Sequence, residues 1–404
     1  MRILLIVNYP NSSLDNLAKV IIGVLRDKEV EIFLIYRRMF FELVKIDPQI
    51  LDTFSLVHFL NGVESFPLEI IKYISHICPI ITHYHHREYT LIPKQFLFVD
   101  HLLYVSNSLL DDIRSLGIST EQTSLMRSGV DTDLFYPQKS LRRSKSFTIG
   151  FFNARPLNSY DRKGSVLLLH ALRKLVDLGY RPNFLVVGYG WEKLVTDLRK
   201  MNLKVTYYAN VPSDELPSLY QKLDLYLITS LQEGGPLTLL EAGACGIPII
   251  STPVGLAPEI LTKPGCGTLL KKINSEEVAL NIFNTFENYE HAKEKATYVL
   301  EEIRENWVWA YSYRDLYEIY CKVSKPNKKV KKIVFLNKVG SKPYLDLNQS
   351  PKQQQTFAQI HALADLAIRL YEYHDYLSSF DVFISGIFRT HPSNWWRAFR
   401  SRNL

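Results

Sequence analysis

No two cysteines of this 404-residue chain stand at C-x-x-C spacing; Cys78, Cys245, Cys266 and Cys321 are scattered. That pattern reads as reduced thiols in or near a core, in a cytosolic protein. No apolar run approaches the roughly 18 residues of a spanning helix, so none is expected. The opening Met1-Arg-Ile-Leu-Leu-Ile-Val7 has only five apolar residues in a row and no small-residue cleavage site after it. It reads as a buried first strand and not as a signal peptide. Internal repeats and long low-complexity tracts are missing too. Acid is absent in one place: Lys322, Lys325, Lys328, Lys329, Lys331, Lys332, Lys338 and Lys342 follow one another without an Asp or Glu.

What is present is a globular composition, 47% hydrophobic, with a net charge of +7. The length suits two domains. The charge is compatible with a nucleotide, an anionic membrane or a nucleic acid, but it forms no defined basic stripe along which a duplex would lie. Strand-like and helix-like runs alternate. Strands are expected at 3–7, 30–35, 56–59, 80–84 and 101–105, then at 147–153, 183–187, 204–209, 225–229, 247–251 and 268–270. Helices are expected at 164–178, 191–201, 214–223, 236–244 and 275–288. Short β-α-β spacing of this kind implies α/β architecture with parallel sheets covered on both faces, and ligands at the carboxyl ends of the strands. The polar, basic segment 137–146 reads as a linker. The expected domains are therefore 1–138 and 146–305, followed by a helix at 306–322 returning to the first domain. An extension at 323–404 has a helical period over 353–373.

The most informative segment is Glu233-Gly-Gly-Pro-Leu-Thr-Leu-Leu-Glu241, continuing to Gly246 and Pro248. Pro236 suits a first helical position, and Gly246 with Pro248 marks the end. Glu233 then lies just ahead of a helix, and Glu241 about 7–8 Å further along its axis. The helix start between them, with its free N–H groups and positive dipole end, suits a phosphate. A carboxylate on either side of a phosphate suggests a ligand with hydroxyls at both ends, such as a nucleotide sugar. A second basic element, Asn153-Ala-Arg155 through Lys163-Gly164, leaves a strand and enters a helix. Its cations can grip a diphosphate and stabilise the charge that grows on a leaving phosphate.

The Glu233–Glu241 string resembles the E-x7-E motif of glycosyltransferase family 4, retaining enzymes of the GT-B fold, in which two Rossmann-like domains with parallel sheets face a cleft. Over about residues 1–322 further segments are similar to that family. The Arg155 to Lys163-Gly164 loop resembles its phosphate-binding element, with Asn153-Ala154 where a glycine is usual. Gly188-Tyr-Gly190 resembles its turn near the nucleobase. Thr82-His-Tyr-His85 resembles the strand end whose histidine meets the transferred sugar, with His83 as the other candidate. Ser106, Ser128-Gly-Val-Asp131-Thr-Asp133 and Val254-Gly-Leu-Ala-Pro-Glu259 match further signatures.

The resemblance implies a nucleoside-diphosphate sugar donor, no cofactor and no metal, and transfer to a hydroxyl of a carbohydrate or lipid-linked acceptor. It makes His85, Lys163, Arg155 and Glu233 the catalytic set. Gly188, Gly190, Gly234, Gly235, Pro236, Leu237 and Glu241 become donor-binding, with Glu241 on the ribose. The family's glycine pair after strand 1 is replaced here by Asn11, Ser12 and Ser13, which would form the acceptor and phosphate loop. His83, His85 and His86 alternate strand faces, and no Cys or Asp completes a metal set around them. Asp131 and Asp133 read as a turn, not as a metal motif.

Other readings stay open: a non-catalytic GT-B binding subunit, favoured by the missing glycine pair, a sugar-nucleotide epimerase or phosphorylase of the same fold, and a DNA-directed glucosyltransferase, which salt-sensitive duplex binding would reveal. Three stretches mix cations with large apolar groups: Tyr36-Arg-Arg-Met-Phe-Phe41, the lysine run, and Trp395-Trp-Arg-Ala-Phe-Arg400. They imply either contact with the inner face of a membrane or aromatics packed on the domains.

Overall fold

A computed structural model describes residues 1–325, apart from 11, 47, 86–92, 116, 139–145 and 155–160. Strands β1 (Arg2–Val7), β2 (Glu31–Tyr36), β3 (Leu56–Phe59), β4 (Ile80–Tyr84), β5 (His101–Tyr104) and β6 (Thr123–Leu125) make one sheet, in the order β2-β1-β3-β4-β5-β6. A second sheet, ordered β12-β11-β10-β7-β8-β9, is built from β7 (Thr148–Phe152), β8 (Asn183–Val187), β9 (Val205–Tyr208), β10 (Leu225–Ile228), β11 (Ile249–Ser251) and β12 (Thr268–Leu269). Every pairing is parallel. This is the doubly wound pair of the GT-B fold. Both sheets lie in one compact unit, Met1–Lys328.

The central strands show why the spacing was readable. β1 is Arg-Ile-Leu-Leu-Ile-Val and is buried along its whole length, as a strand covered by helices on both faces must be. β6 escaped the sequence reading. It is three half-buried residues, Thr-Ser-Leu, at a sheet edge, too short and polar to show a period.

The first sheet's core is completed from far along the chain. Tyr313, Leu316 and Tyr320 pack with Leu5, Leu17 and Leu103. The returning helix expected over 306–322 is two short ones, Trp309–Ser312 and Leu316–Val323, and they follow a long helix that the sequence reading missed, Tyr289–Asn306, after a break. The break has a cause: Val308 forms a parallel bridge with Val130, and the Trp307 carbonyl accepts the Val130 N–H at 2.9 Å. Those backbone groups cannot also continue a helix.

The aromatics of 36–41 turn inward. Phe40 is fully buried, Phe41 packs on Phe66 at 5.4 Å, and Arg37 lies over both rings. The other two basic-aromatic stretches lie outside the described residues, apart from Lys322 and Lys325. Among the described residues no helix is long and apolar enough to cross a membrane.

Candidate functional site

The loops that leave β7, β8 and β10 are neighbours, because those three strands are adjacent in the second sheet. They carry most of the residues singled out above. Beyond β10 the chain runs through Thr229 and Ser230 to Glu233, then enters the helix Leu237–Ala244. Pro236 is the residue before the helix and not its first member; its φ of −66° fits, but its ψ of 102° is extended. The first-turn N–H groups of this helix have no carbonyl ahead of them within it. Gly246, at φ 66°, closes the far end.

Glu233 is held on two sides. Its Oε1 pairs with the Lys163 ammonium and accepts a hydrogen bond from Ser230 Oγ at 2.8 Å. Both side chains of the ion pair are close to buried, 12% and 13% exposed. Lys163 is placed by stitching between two loops. Its carbonyl accepts from Thr229 Oγ1 at 3.0 Å, and the neighbouring Arg162 carbonyl accepts from Leu231 N at 2.8 Å. Gly164 sits at φ 66°, and any Cβ there would fall on the Thr229 carbonyl. Asp161 then caps the helix Ser165–Asp177, with Oδ1 accepting from Ser165 N at 2.9 Å and Oδ2 from Val166 N at 2.8 Å. Asp161 was not singled out from the sequence, although an Asp just ahead of a helical run is a capping signal.

Glu241 lies one turn inside the helix. Its Oε2 accepts the Tyr220 hydroxyl at 2.7 Å. Burial pushes its acid up to about 7, against the opposing pull of that hydrogen bond. Tyr220 is fully buried, edge-on to Tyr226 at 5.5 Å, and Tyr226 in turn donates to the Phe152 carbonyl at 3.0 Å. Gly188 and Gly190 follow β8 with φ of 117° and 85°. Gly188 passes so close to the Asn153 carbonyl that a Cβ would collide with it, and Trp191 Nε1 donates to that same carbonyl at 2.6 Å.

The first sheet meets this loop directly. Ser106 Oγ donates to the Gly234 carbonyl at 2.5 Å. A Cβ on Gly235 would lie 3.1 Å from Ser128 Oγ and 3.4 Å from Val105. Glu259 adds a clamp: it accepts from Asn107 N at 2.8 Å, Asn107 Nδ2 at 2.9 Å and Arg127 Nε at 3.0 Å. Leu256, given no role from the sequence, is buried beside Gly235. Asp131 accepts from the Asp133 and Leu134 N–H groups, which is the turn expected of it.

His85 directly follows β4 and lines a cavity of about 360 Å³ between the sheets, which Ser13, Gly235 and Leu237 also line. Its Nε2 is 2.7 Å from the Leu60 carbonyl, so that nitrogen carries the proton. His83, the other candidate, is 1% exposed and stacked among His58, His85 and Tyr313 at centroid distances of 4.9, 5.3 and 6.1 Å. It belongs to the core. Among the described residues no cluster of three or more His, Cys, Asp or Glu could hold a metal. Ser12 caps the helix Ser13–Val24, its Oγ accepting from Asp15 N at 3.1 Å and donating to the Tyr9 carbonyl at 2.8 Å. Arg155, Asn11 and His86 lie outside the described residues.

Comparison with known proteins gives the same direction. Residues 139–300 match the family described as "Glycosyl transferases group 1". An MMP alpha-(1->4)-mannosyltransferase of Mycolicibacterium hassiacum is 30% identical over 187 residues, 45% of this chain and 44% of that protein. An uncharacterized glycosyltransferase of Methanocaldococcus jannaschii is 24% identical over 310 residues, 70% of this chain and 77% of its own. The chain spans about half the length of several curated relatives it matches. Among solved structures, Anabaena HepE in complex with UDP-glucose superposes with a TM-score of 0.63 at 18% identity, covering 80% of this chain and 100% of that one. At that identity the likeness speaks for the fold.

Proposed function

We propose that this chain, whose residues 139–300 match the family described as Glycosyl transferases group 1, moves a sugar from a nucleoside-diphosphate donor to an acceptor hydroxyl, without a metal and with retention at the anomeric carbon. The observation that carries the reading is the helix start at Leu237 with Glu233 and Lys163 paired before it and Glu241 one turn inside. Glu241 accepts from the ribose hydroxyls, and the N–H groups at the helix start meet the diphosphate. Lys163 has a choice of anion. A diphosphate draws the ammonium from Glu233, and Glu233 turns toward hydroxyls of the sugar. The bond from the anomeric carbon to the phosphate oxygen breaks with its electron pair staying on the phosphate, where Lys163 stabilises it. The acceptor oxygen bonds the same carbon on the same face, and its proton passes to the departing phosphate. Glu233, released by Lys163, is a partner of the sugar in this scheme and not a nucleophile.

The test is a screen of UDP-, GDP-, ADP- and TDP-sugars with EDTA present, read by melting temperature and by donor hydrolysis, for the wild type and Glu241→Ala. A hydrogen bond from a hydroxyl to a charged acceptor is worth about 1.5–3 kcal/mol, so the variant should bind the donor about 10- to 100-fold more weakly. An EDTA-sensitive response, or one that Glu241→Ala leaves intact, would count against the reading, and an inverted product anomer would remove the retaining mechanism.

A further inference from the structure

Three imidazoles stand in a row on one face of the first sheet. His58 is on β3, His83 on β4 and His101 on β5, and they are 0%, 1% and 3% exposed. The register puts them on the same side. Ile81 stands beside both His58 and His101, and His83 is two residues on from Ile81. His58 and His83 stack at 4.9 Å.

The segment returning after the long helix covers this row. The Tyr320 hydroxyl is 2.6 Å from His58 Nδ1. The Tyr313 ring lies 6.1 Å from that of His83 and only 9° from parallel. Lys322 lies near enough to His101 to oppose a positive charge there.

Among the described residues no carboxylate bears on these rings. The paired positions on the neighbouring strands are Leu5, Ile81 and Leu103, and the other ring close by is His85. Acids on the surrounding elements are engaged elsewhere. Asp15, on the helix Ser13–Val24, takes the Tyr36 hydroxyl and pairs with Lys19. Asp100 accepts the Ile80 N–H, and Asp315 pairs with Arg314. Glu121 and Glu318 are exposed. Both His83 nitrogens and His58 Nε2 are buried without a hydrogen-bond partner among the described residues, and His101 Nε2 is 2.9 Å from the Ser124 hydroxyl.

Such rings fold neutral. Burial, helped by the neighbouring imidazoles, brings His58 down to about 3 and holds His83 well below the usual range. Burial and then Lys322 bring His101 down to about 4. Once uncovered, each ring would take a proton near its ordinary value of about 6.5. The open state therefore binds protons that the closed state does not. The cover is fully stable above about 6.5 and loses stability as pH falls. Clustered histidines switch interfaces in mild acid by this route.

We propose that the segment 309–323 is an acid-released strap, which in mild acid lifts from the first sheet while the second sheet stays folded. Trp309 and Tyr313 form part of the wall of the cavity at His85, so release dismantles that wall. The device does not depend on the transferase reading, because it is read without any substrate.

The test is hydrogen exchange by mass spectrometry on the full chain at pH 8, 7, 6 and 5. Rates are corrected for the intrinsic pH dependence of exchange, and peptides of β7 and β8 serve as the reference. With three protons taken up, the opening constant of the 309–323 amides should rise about 500-fold from pH 6 to pH 5. Return to pH 8 should restore protection. The double variant His58→Phe with His83→Phe keeps flat rings under the tyrosines and leaves His101 to titrate, so its rise should be only about eightfold. Protection that is unchanged from pH 8 to pH 5 overturns the proposal. So does a loss shared equally by β7 and β8, which is general acid unfolding, or a folded double variant with the wild-type rise. If the double variant does not fold, the wild type decides alone. A rise above about tenfold per pH unit needs more than one proton and supports the strap, and a smaller one overturns it.

Discussion

Glu241 is the residue whose chemistry is tuned closest to neutrality. Its acid is raised from the usual range to about 7 by burial, so the folded protein favours the protonated form. The sign follows from that. This group's contribution to stability is full below the ordinary carboxyl range and is lost as pH rises through about 7. On the proposed donor contact, ribose hydroxyls bond the ionised form more strongly, so donor affinity should run the other way and grow with pH. Between pH 6 and pH 8 the ionised share rises about tenfold, and the affinity for a nucleotide sugar should follow. Tyr220→Phe removes the hydrogen bond that favours the ion and should move the midpoint above 7. Calorimetric titration at pH 6, 7 and 8 checks both, and an affinity flat across that range would show that Glu241 does not contact the ligand through its carboxylate. Glu241 could be singled out from the sequence because its partners in the motif are local. Tyr220 was not, although only 21 residues separate the two, since nothing in a sequence shows that two helices turn a hydroxyl and a carboxylate toward each other.

At the scale of elements, the segment 161–164 shows how a cap can serve chemistry. Asp161 closes the start of one helix while Gly164, in a left-handed conformation under the Thr229 carbonyl, turns the chain so that Lys163 points back at Glu233. Asp161→Ala should cost about 1 kcal/mol of stability as a lost cap. It should lower turnover by more than that loss explains, because Lys163 loses its fixed approach. Thermal melts beside donor hydrolysis separate the two, and an unchanged turnover would show Lys163 to be held by the Thr229 and Leu231 bonds without Asp161. The strands and helices around this segment were readable from period and from Gly-Pro punctuation. The sixth strand of the first sheet was not, since it shows only through its pairing with β5, and the segment read as one helix from 306 is two short ones that follow a bridge from Val308 to a residue far earlier in the chain.

At the scale of the molecule, Glu259 makes three polar contacts from the second half of the chain to the first among the described residues. Its partners Asn107 and Arg127 lie 152 and 132 residues away, which is why a family signature could flag the glutamate without revealing its use. Glu259→Ala should let the sheets part. Expected outcomes are a larger radius of gyration by small-angle scattering, partly restored by saturating nucleotide, and a raised KM for donor. A radius equal to that of the wild type would mean that the remaining contacts, Ser106 to the Gly234 carbonyl among them, hold the cleft without Glu259.

The completion of the first sheet's core by Tyr313, Leu316 and Tyr320 bears on how the chain is made. The last strand of that sheet leaves the ribosome roughly 190 residues before Leu316 does, a wait of about 10–40 s at ordinary rates of synthesis. During that wait His58 lacks the Tyr320 hydroxyl that stands 2.6 Å from its Nδ1, and a face of Leu5, Leu17 and Leu103 stays open. The second sheet, contiguous in the chain, has no such wait. The half synthesised first is therefore the half finished last, and it is the one a nascent-chain chaperone would have to guard.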